Sequence, residues 1–295
     1  MNDEKRGPVV LPEIVDVDFV PHWKPELTNE EYHGDKTAVS SSVLKRFEKS
    51  AASVLCYYMT RDHEDEAEHF RLGRAIHCAS LEPKKFIEVV VKQPEFSGTG
   101  SRKEKADWIA AQAKTAMILK EKEFLQVEGM VNSILEYPDA VSFMNRGVPE
   151  ISGYYRDPIT GIKCKLRPDL WDEELGILLD VKSCVDCSPY AFSKKIKDYG
   201  YHLSMAMYSE GIYQITGKRP KDCIFLAVEK KPPYECAIYF CKPEMLQKGY
   251  EEYNFAMQKL KFCLETKTWP RRQSEGEEID LPQYVYKKEE LEIYE

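Results

Sequence analysis

Two charged residues interrupt an otherwise apolar run, Ile177-Leu178-Leu179-Asp180-Val181-Lys182, and no other feature restricts the fold as strongly. A short apolar run bounded by turn residues reads as a strand buried on both faces, so central in its sheet. A charge in such a strand is costly unless it is paired or holds a ligand. Side chains alternate along a strand, so Asp180 and Lys182 share one face. The preceding Asp172-Glu173-Glu174-Leu175-Gly176 reads as a turn, with a strand over about Ile162–Trp171 before it. A hairpin symmetric about that turn sets Asp169 opposite Asp180 and Arg167 opposite Lys182. Two carboxylates and a lysine then converge.

Carboxylates placed side by side resist joint ionisation, and a divalent cation removes that penalty. Hard oxygen ligands suit Mg²⁺, with Mn²⁺ as a substitute. Such a metal polarises a phosphodiester and activates a bound water. A lysine beside it orients that water or stabilises the transition-state charge. The chemistry implied is metal-assisted phosphodiester hydrolysis. A surface hairpin that merely carries charges leaves the interrupted apolar strand unexplained.

Composition sets the frame for that site. The chain has 295 residues, 43% hydrophobic and 12% aromatic, enough for a real core, so global disorder is excluded,. No apolar run reaches the roughly 18 residues of a membrane span. The N-terminus, MNDEKRGPVVLPEI, has no apolar signal core,. Nine cysteines then read as reduced thiols, and the expected compartment is cytoplasmic, in a bacterial or phage-infected cell,. The net charge of −8 argues against a coat of non-specific nucleic-acid contacts and leaves room for a local basic channel,.

Residues 1–36 hold Pro8, Pro12, Pro21 and Pro25 and little helical period, and read as an extended arm,. Residues 37–285 read as one domain: a helical part over 37–148, then catalytic sheet and helices over 149–268, with a Pro- and charge-rich tail over 269–295. In the helical part, Ser40-Ser41-Ser42 opens a helix running to about Met59. Arg61–Glu66 is a charged connector. A second helix covers about Ala67–Leu81 and stops before Pro83. Phe96–Ser101 is a glycine-containing break, and two helices follow over about Lys103–Tyr137. Strands are expected from Ile151, at Ile177–Ser183, at Cys223–Glu229 and at Glu235–Cys241. Long helices are expected over 189–216 and over Pro243–Thr266.

Arg167-Pro168-Asp169 with Asp180-Val181-Lys182 resembles the PD-(D/E)xK nuclease motif. Further segments, in order, resemble the exodeoxyribonuclease VIII branch, the RecE-type exonucleases of prophages. They are Ser42-x-Leu44-Lys45 through Ala51, Phe70–His77 running to Pro83, Tyr199-Gly200-Tyr201-His202 through Tyr208, and Trp269-Pro270 with Leu281-Pro282. The resemblance covers about residues 36–285. It implies an α/β fold, with a central mixed sheet flanked by helices and a helical N-terminal region. It implies Mg²⁺-dependent 5′-to-3′ digestion of double-stranded DNA ends. A 3′ single strand would remain for a single-strand annealing protein to use in recombination. A homo-oligomeric ring, such as a tetramer, with no membrane association, is implied as well. Asp169 and Asp180 match the metal-binding acids, Lys182 the catalytic lysine, the Val181 carbonyl a further ligand, and His77 a metal ligand or substrate contact.

Other positions keep two readings. Glu150 supports the ligands or simply opens an edge strand. Ser204 stands four residues before Tyr208, where related nucleases often carry Gln, so Tyr201, His202 or Tyr208 could contact DNA instead. Arg71 and Arg74 could meet a 5′-phosphate. With Arg167, the lysines Lys194, Lys195 and Lys197 line a DNA path or form a solvated face. Cys184-x-x-Cys187 lacks the partners an iron–sulfur cluster or zinc needs, so buried thiols are expected. The rival functions are a nuclease of other polarity or endonuclease habit, and a non-catalytic DNA-binding or assembly protein of the same fold.

Overall fold

A computed structural model describes residues 9–60, 68–96, 101–113, 116–272 and 278–280. The N-terminal segment carries β1 (His22–Lys24) and α1 (Asn29–Gly34), so it is not extended throughout. Helix α1 starts at a capping box. Thr28 Oγ1 accepts from the Glu31 N–H at 3.2 Å, and the Glu31 carboxylate accepts from the Thr28 N–H at 2.9 Å,.

The helix expected from Ser40 to Met59 is broken. Helix α2 (Ser41–Leu44) passes into a 3-10 turn at Lys45–Glu48. Helix α3 (Ala51–Met59) starts afresh on Ser50, whose hydroxyl accepts from the Ser53 N–H at 3.1 Å,. Helix α4 (Glu68–Leu81) ends where Glu82 precedes a proline, and α5 (Pro83–Val89) begins on it,. The helical reading of Lys103–Tyr137 conceals a strand. Between α6 (Ser101–Ala110) and α7 (Glu121–Leu135), β3 (Met117–Leu119) pairs in parallel with β2 (Val90–Lys92). Helix α8 (Pro138–Met144) follows. The Arg61–Glu66 connector, the Ser97–Gly100 break and Leu281-Pro282 lie outside the described residues.

The C-terminal half holds β4 (Val148–Pro149), β5 (Ser152–Arg156), β6 (Lys163–Leu166), β7 (Leu170–Asp172) and β8 (Ile177–Cys184). Then come α9 (Pro189–Asp198), α10 (Tyr201–Thr216), β9 (Asp222–Glu229), β10 (Cys236–Phe240) and α11 (Pro243–Thr266). Five strands form a sheet in the order β10-β9-β8-β7-β4, and β1-β5-β6 form a second. The interrupted apolar run is the middle strand of the larger sheet. Its pairing with β9 is parallel and its pairing with β7 antiparallel. The parallel pair needs a long crossover, which α9 and α10 supply.

Two expected elements divide for local reasons. The strand read over Ile162–Trp171 is β6 in one sheet and β7 in the other, and it breaks at Arg167-Pro168-Asp169, where Pro168 has no N–H for a ladder,. The helix read over 189–216 breaks at Tyr199-Gly200, and Gly200 takes φ +59°, a conformation glycine adopts without strain,. The hairpin register is symmetric, Leu170 opposite Leu179 and Trp171 opposite Leu178. It stops at Leu170, so Arg167 does not reach Lys182.

Helices cover both faces of the larger sheet. Leu178 and Cys184 pack with Phe225, Met205 and Tyr253 under α10 and α11. Leu179 and Val181 pack with Ile76 of α4 and with Met130 and Ile134 of α7. Each fully buried aliphatic side chain there contributes about 1.5–3 kcal/mol. Among the described residues, no helix is long and apolar enough to cross a membrane.

Candidate active site

The site lies where the two sheets meet. The chain crosses between them at Glu150, from β4 to β5, and at Arg167-Pro168-Asp169, from β6 to β7. The crossings are tied together. The Glu150 N–H donates to the Asp169 carbonyl at 3.1 Å, and the Arg167 Nε donates to the Glu150 carboxylate at 2.9 Å. Glu150 has φ +51°, strained for a residue with a side chain,. That strain is held by the surrounding bonds and turns the carboxylate toward Asp169.

Asp169 stands just ahead of β7, and its Oδ2 accepts from the Val181 N–H at 2.7 Å. The same oxygen lies 3.3 Å from His77 Nδ1 and 3.7 Å from the Lys182 ammonium. Lys182 Nζ sits 2.7 Å from Asp180 Oδ1 and donates to the Val181 carbonyl at 3.1 Å. Asp169, Asp180, Lys182, His77 and the Val181 carbonyl therefore occupy one spot. Asp180 and Lys182 reach it from β8, Asp169 from the sheet junction, and His77 from α4.

The electrostatics follow from burial and mutual proximity. Burial opposes ionisation of Asp169, yet the His77 ring and the Lys182 ammonium outweigh it and hold the carboxyl below the usual range,. Asp180 is pushed up to about 6, first by burial and then by Asp169, against the pull of Lys182. Burial works against the Lys182 charge, but the two carboxylates prevail and raise its pKa. Glu150 is raised by burial and by Asp169. Negative charge is thus crowded beyond what one lysine balances.

The donors suit a hard divalent cation. Ligand atoms of His77, Glu150 and Asp169 all lie within 4.8 Å of one another. Asp180 and the Val181 carbonyl add oxygens beside them, and the mutual repulsion of the carboxylates is what such an ion relieves. Glu150, read from sequence as either support or strand start, stands with the acids.

The remaining expected residues are distributed as follows. Tyr201, at the start of α10, has its ring centre 5.3 Å from the Lys182 ammonium, and burial pushes its hydroxyl up to about 12. Tyr208 feels the Asp180 and Asp169 charges and shares the neighbourhood of Ser41. Ser204 is buried and donates to the Ser41 hydroxyl at 3.1 Å, which takes it away from the carboxylates. His202 is buried against α11, with Nε2 2.8 Å from Glu252. Arg71 pairs with Glu123 at 2.6 Å, and Arg167 pairs with Glu150, so both are structural cations first. Arg74, Lys194 and Lys197 are exposed, and Lys195 donates to the Ser183 carbonyl at 2.8 Å. Cys184 and Cys187 are free, buried thiols.

Lys45 is near the site without having been singled out for it. Its ammonium lies 5.4 Å from the Tyr201 ring centre. Burial, and then the Lys182 charge, pushes its pKa down to about 8. Its contact with Tyr201 is made across the fold, and no local pattern signals it.

Residues 40–282 match the model of a PDDEXK-like domain of unknown function (DUF3799). The fold resembles the crystal structure of a protein from Eubacterium rectale named "Putative exonuclease", with a TM-score of 0.60 at 15% identity over 86% of this chain and 96% of that one. A phage related exonuclease from Haemophilus somnus 129PT aligns at 11% identity over 78% of this chain and 96% of that one, with a TM-score of 0.34. No curated protein sequence matches the chain.

Proposed function

The chain belongs to the PDDEXK-like domain family DUF3799, and from that membership and the geometry of its site we propose that it is a Mg²⁺-dependent nuclease acting on DNA. One observation carries the reading. Asp169, Asp180 and Lys182 meet at the sheet junction, with the lysine ammonium 2.7 Å from one carboxylate and 3.7 Å from the other.

The residues divide the work. Asp169, Asp180, the Val181 carbonyl and His77 would hold the ion, with Glu150 beside them. When bound, Mg²⁺ supplies charge neutralisation, polarisation of the phosphodiester and a water of lowered pKa. Lys182 presents a charged donor to a non-bridging phosphate oxygen, where negative charge grows in the transition state. The Val181 N–H and the Glu150–Arg167 pair keep the Asp169 carboxylate and backbone in place, so little reorganisation accompanies reaction,.

Our reading of the finer activity is a 5′-to-3′ double-strand exonuclease that leaves 3′ single-stranded tails for recombination by strand annealing. The ordered resemblance to the exodeoxyribonuclease VIII branch supports it, and the name of the structurally similar Eubacterium rectale protein supports exonuclease action alone. The same resemblance supports a homo-oligomeric ring that works with a single-strand annealing protein, and the hard oxygen ligands support Mn²⁺ as a substitute ion.

Linear duplex labelled at either the 5′ or the 3′ end tests this. We expect Mg²⁺-dependent early release of the 5′ label, and none with EDTA or with Asp180→Ala. Early release of the 3′ label would overturn the polarity alone. No metal-dependent cleavage from any duplex would overturn the nuclease.

A further inference from the structure

Lys45 is a half-buried cation whose ammonium forms no direct ion pair among the described residues, with the Asp180 carboxylate acting on it only from a distance. It lies in the turn after α2, and its stem crosses Gly200, where an added Cβ would meet Lys45 Cγ at 3.3 Å. Three other lysines that are partly or fully buried have polar partners. Lys182 pairs with Asp180 at 2.7 Å, Lys195 donates to the Ser183 carbonyl at 2.8 Å, and Lys165 donates to the Asp35 carbonyl at 2.6 Å. Among the described residues, the Lys45 ammonium has neither an ion-pair carboxylate nor a hydrogen-bond acceptor, only the Tyr201 ring 5.4 Å away. A cation held out of water without a partner favours an anion delivered by a ligand.

The surroundings indicate which anion. The Tyr199 and Tyr201 rings stack with centres 5.6 Å apart and planes 23° apart. Lys182 and Lys45 lie 5.3 and 5.4 Å from the Tyr201 centre, and Lys195 lies 5.5 Å from that of Tyr199. A two-ring stack thus leads outward from the catalytic carboxylates, with cations beside both rings. The outermost ring, Tyr199, is 59% exposed. Cations placed beside stacking rings are what an unpaired nucleic-acid strand requires.

We propose that Lys45 and the Tyr199–Tyr201 stack form a nucleotide subsite beside the metal site. Lys45 takes the backbone phosphate next to the scissile one, and Tyr199 stacks a base freed from the duplex end. The proposal rests on the nuclease reading and adds to it that the enzyme handles a frayed, single-stranded terminus.

Binding of a fluorescent duplex with a short single-stranded end, in EDTA so that nothing is cut, tests it on the full chain. Lys45→Gln should weaken binding about tenfold and reduce the slope of log affinity against log salt by about one phosphate contact. Lys45→Arg should bind almost as wild type, which separates a lost charge from a lost fold. Tyr199→Ala should weaken binding about fivefold or more, while blunt duplex is less affected. Unchanged affinity and salt slope in both Lys45→Gln and Tyr199→Ala would overturn the subsite. Wild-type cleavage with Mg²⁺, run in parallel, tests the nuclease separately. Cleavage with unaltered variants removes the subsite alone. Weakened variants without any wild-type cleavage keep the subsite and remove the hydrolysis.

Discussion

Arg167 and Glu150 are joined by a 2.9 Å ion pair that spans the two points where the chain leaves one sheet for the other. The same guanidinium donates to Ser152 Oγ at 2.8 Å and to the Leu27 carbonyl at 3.1 Å. It therefore fastens the N-terminal segment, the strained Glu150 and the backbone before Asp169 together.

Removing that guanidinium should cost about 3 kcal/mol, because it leaves Glu150 with an uncompensated charge. Arg167→Ala should lower the urea midpoint accordingly. Arg167→Lys should recover less than half of the loss, since lysine lacks the forked donors. An Arg167→Ala midpoint equal to wild type would refute the structural role.

Ionisation of Asp180 should cost the metal-free protein stability as pH rises from about 4 to about 6,. Asp180 titrates near 6 in the folded chain, against an ordinary aspartate pKa near 3.9 in the unfolded one,. The folded state then binds more protons in that window, so stability falls as Asp180 ionises. Asp169 is shifted the other way and acts below the window. Thermal melts in EDTA should show Asp180→Asn more stable than wild type at pH 7 and nearly equal at pH 4. A wild-type protein that gains on Asp180→Asn as pH rises contradicts the crowding of charge.

Tyr253 should matter for stability and not for chemistry. Its hydroxyl donates to the buried carboxylate of Asp157 and lies 3.2 Å from the Tyr155 hydroxyl, tying α11 to the smaller sheet. Tyr253→Phe leaves those groups short of a partner and should cost about 1–3 kcal/mol. Cleavage per folded molecule should stay within about twofold. A tenfold fall in turnover at unchanged stability would show that this network reaches the site.

Gly200→Ala should combine two effects. The left-handed conformation costs about 1–2 kcal/mol for a residue with a Cβ. The new methyl also presses on the Lys45 stem. We expect a lower melting temperature together with weaker DNA binding. Wild-type affinity in a destabilised Gly200→Ala protein would place Lys45 outside the DNA path.

The parts of this molecule that sequence reveals are those governed by local pattern. Asp180 and Lys182 stand out because charge has no place in an apolar central strand unless it serves a site. The symmetric turn after Asp172 carries the Leu170–Leu179 register, and Pro243 opens a helix that runs to Thr266 as its period requires. What escaped depends on contacts distant in sequence. A continuous apolar pattern over Ile162–Trp171 does not show that Pro168 sends the chain into another sheet. The partners of Arg71 and His202, Glu123 and Glu252, lie on other helices, so their positive or neutral rings and forks read as free. Lys45 joins the site only because α2 packs against the start of α10. The Thr28–Glu31 capping box lies in a proline-rich stretch with little helical period, which reads as extended.

The central claim is a division of labour, with carboxylates holding the ion and Lys182 acting on the phosphate. Calorimetric titration of Mn²⁺ into the protein, paired with single-turnover cleavage of linear duplex, tests it most directly. Lys182→Gln should bind Mn²⁺ at least as tightly as wild type, since a competing positive charge is gone, and should cleave about 10²–10⁴-fold more slowly. Asp180→Ala should lose both. Wild-type cleavage by Lys182→Gln, or undiminished Mn²⁺ binding by Asp180→Ala, would contradict the account.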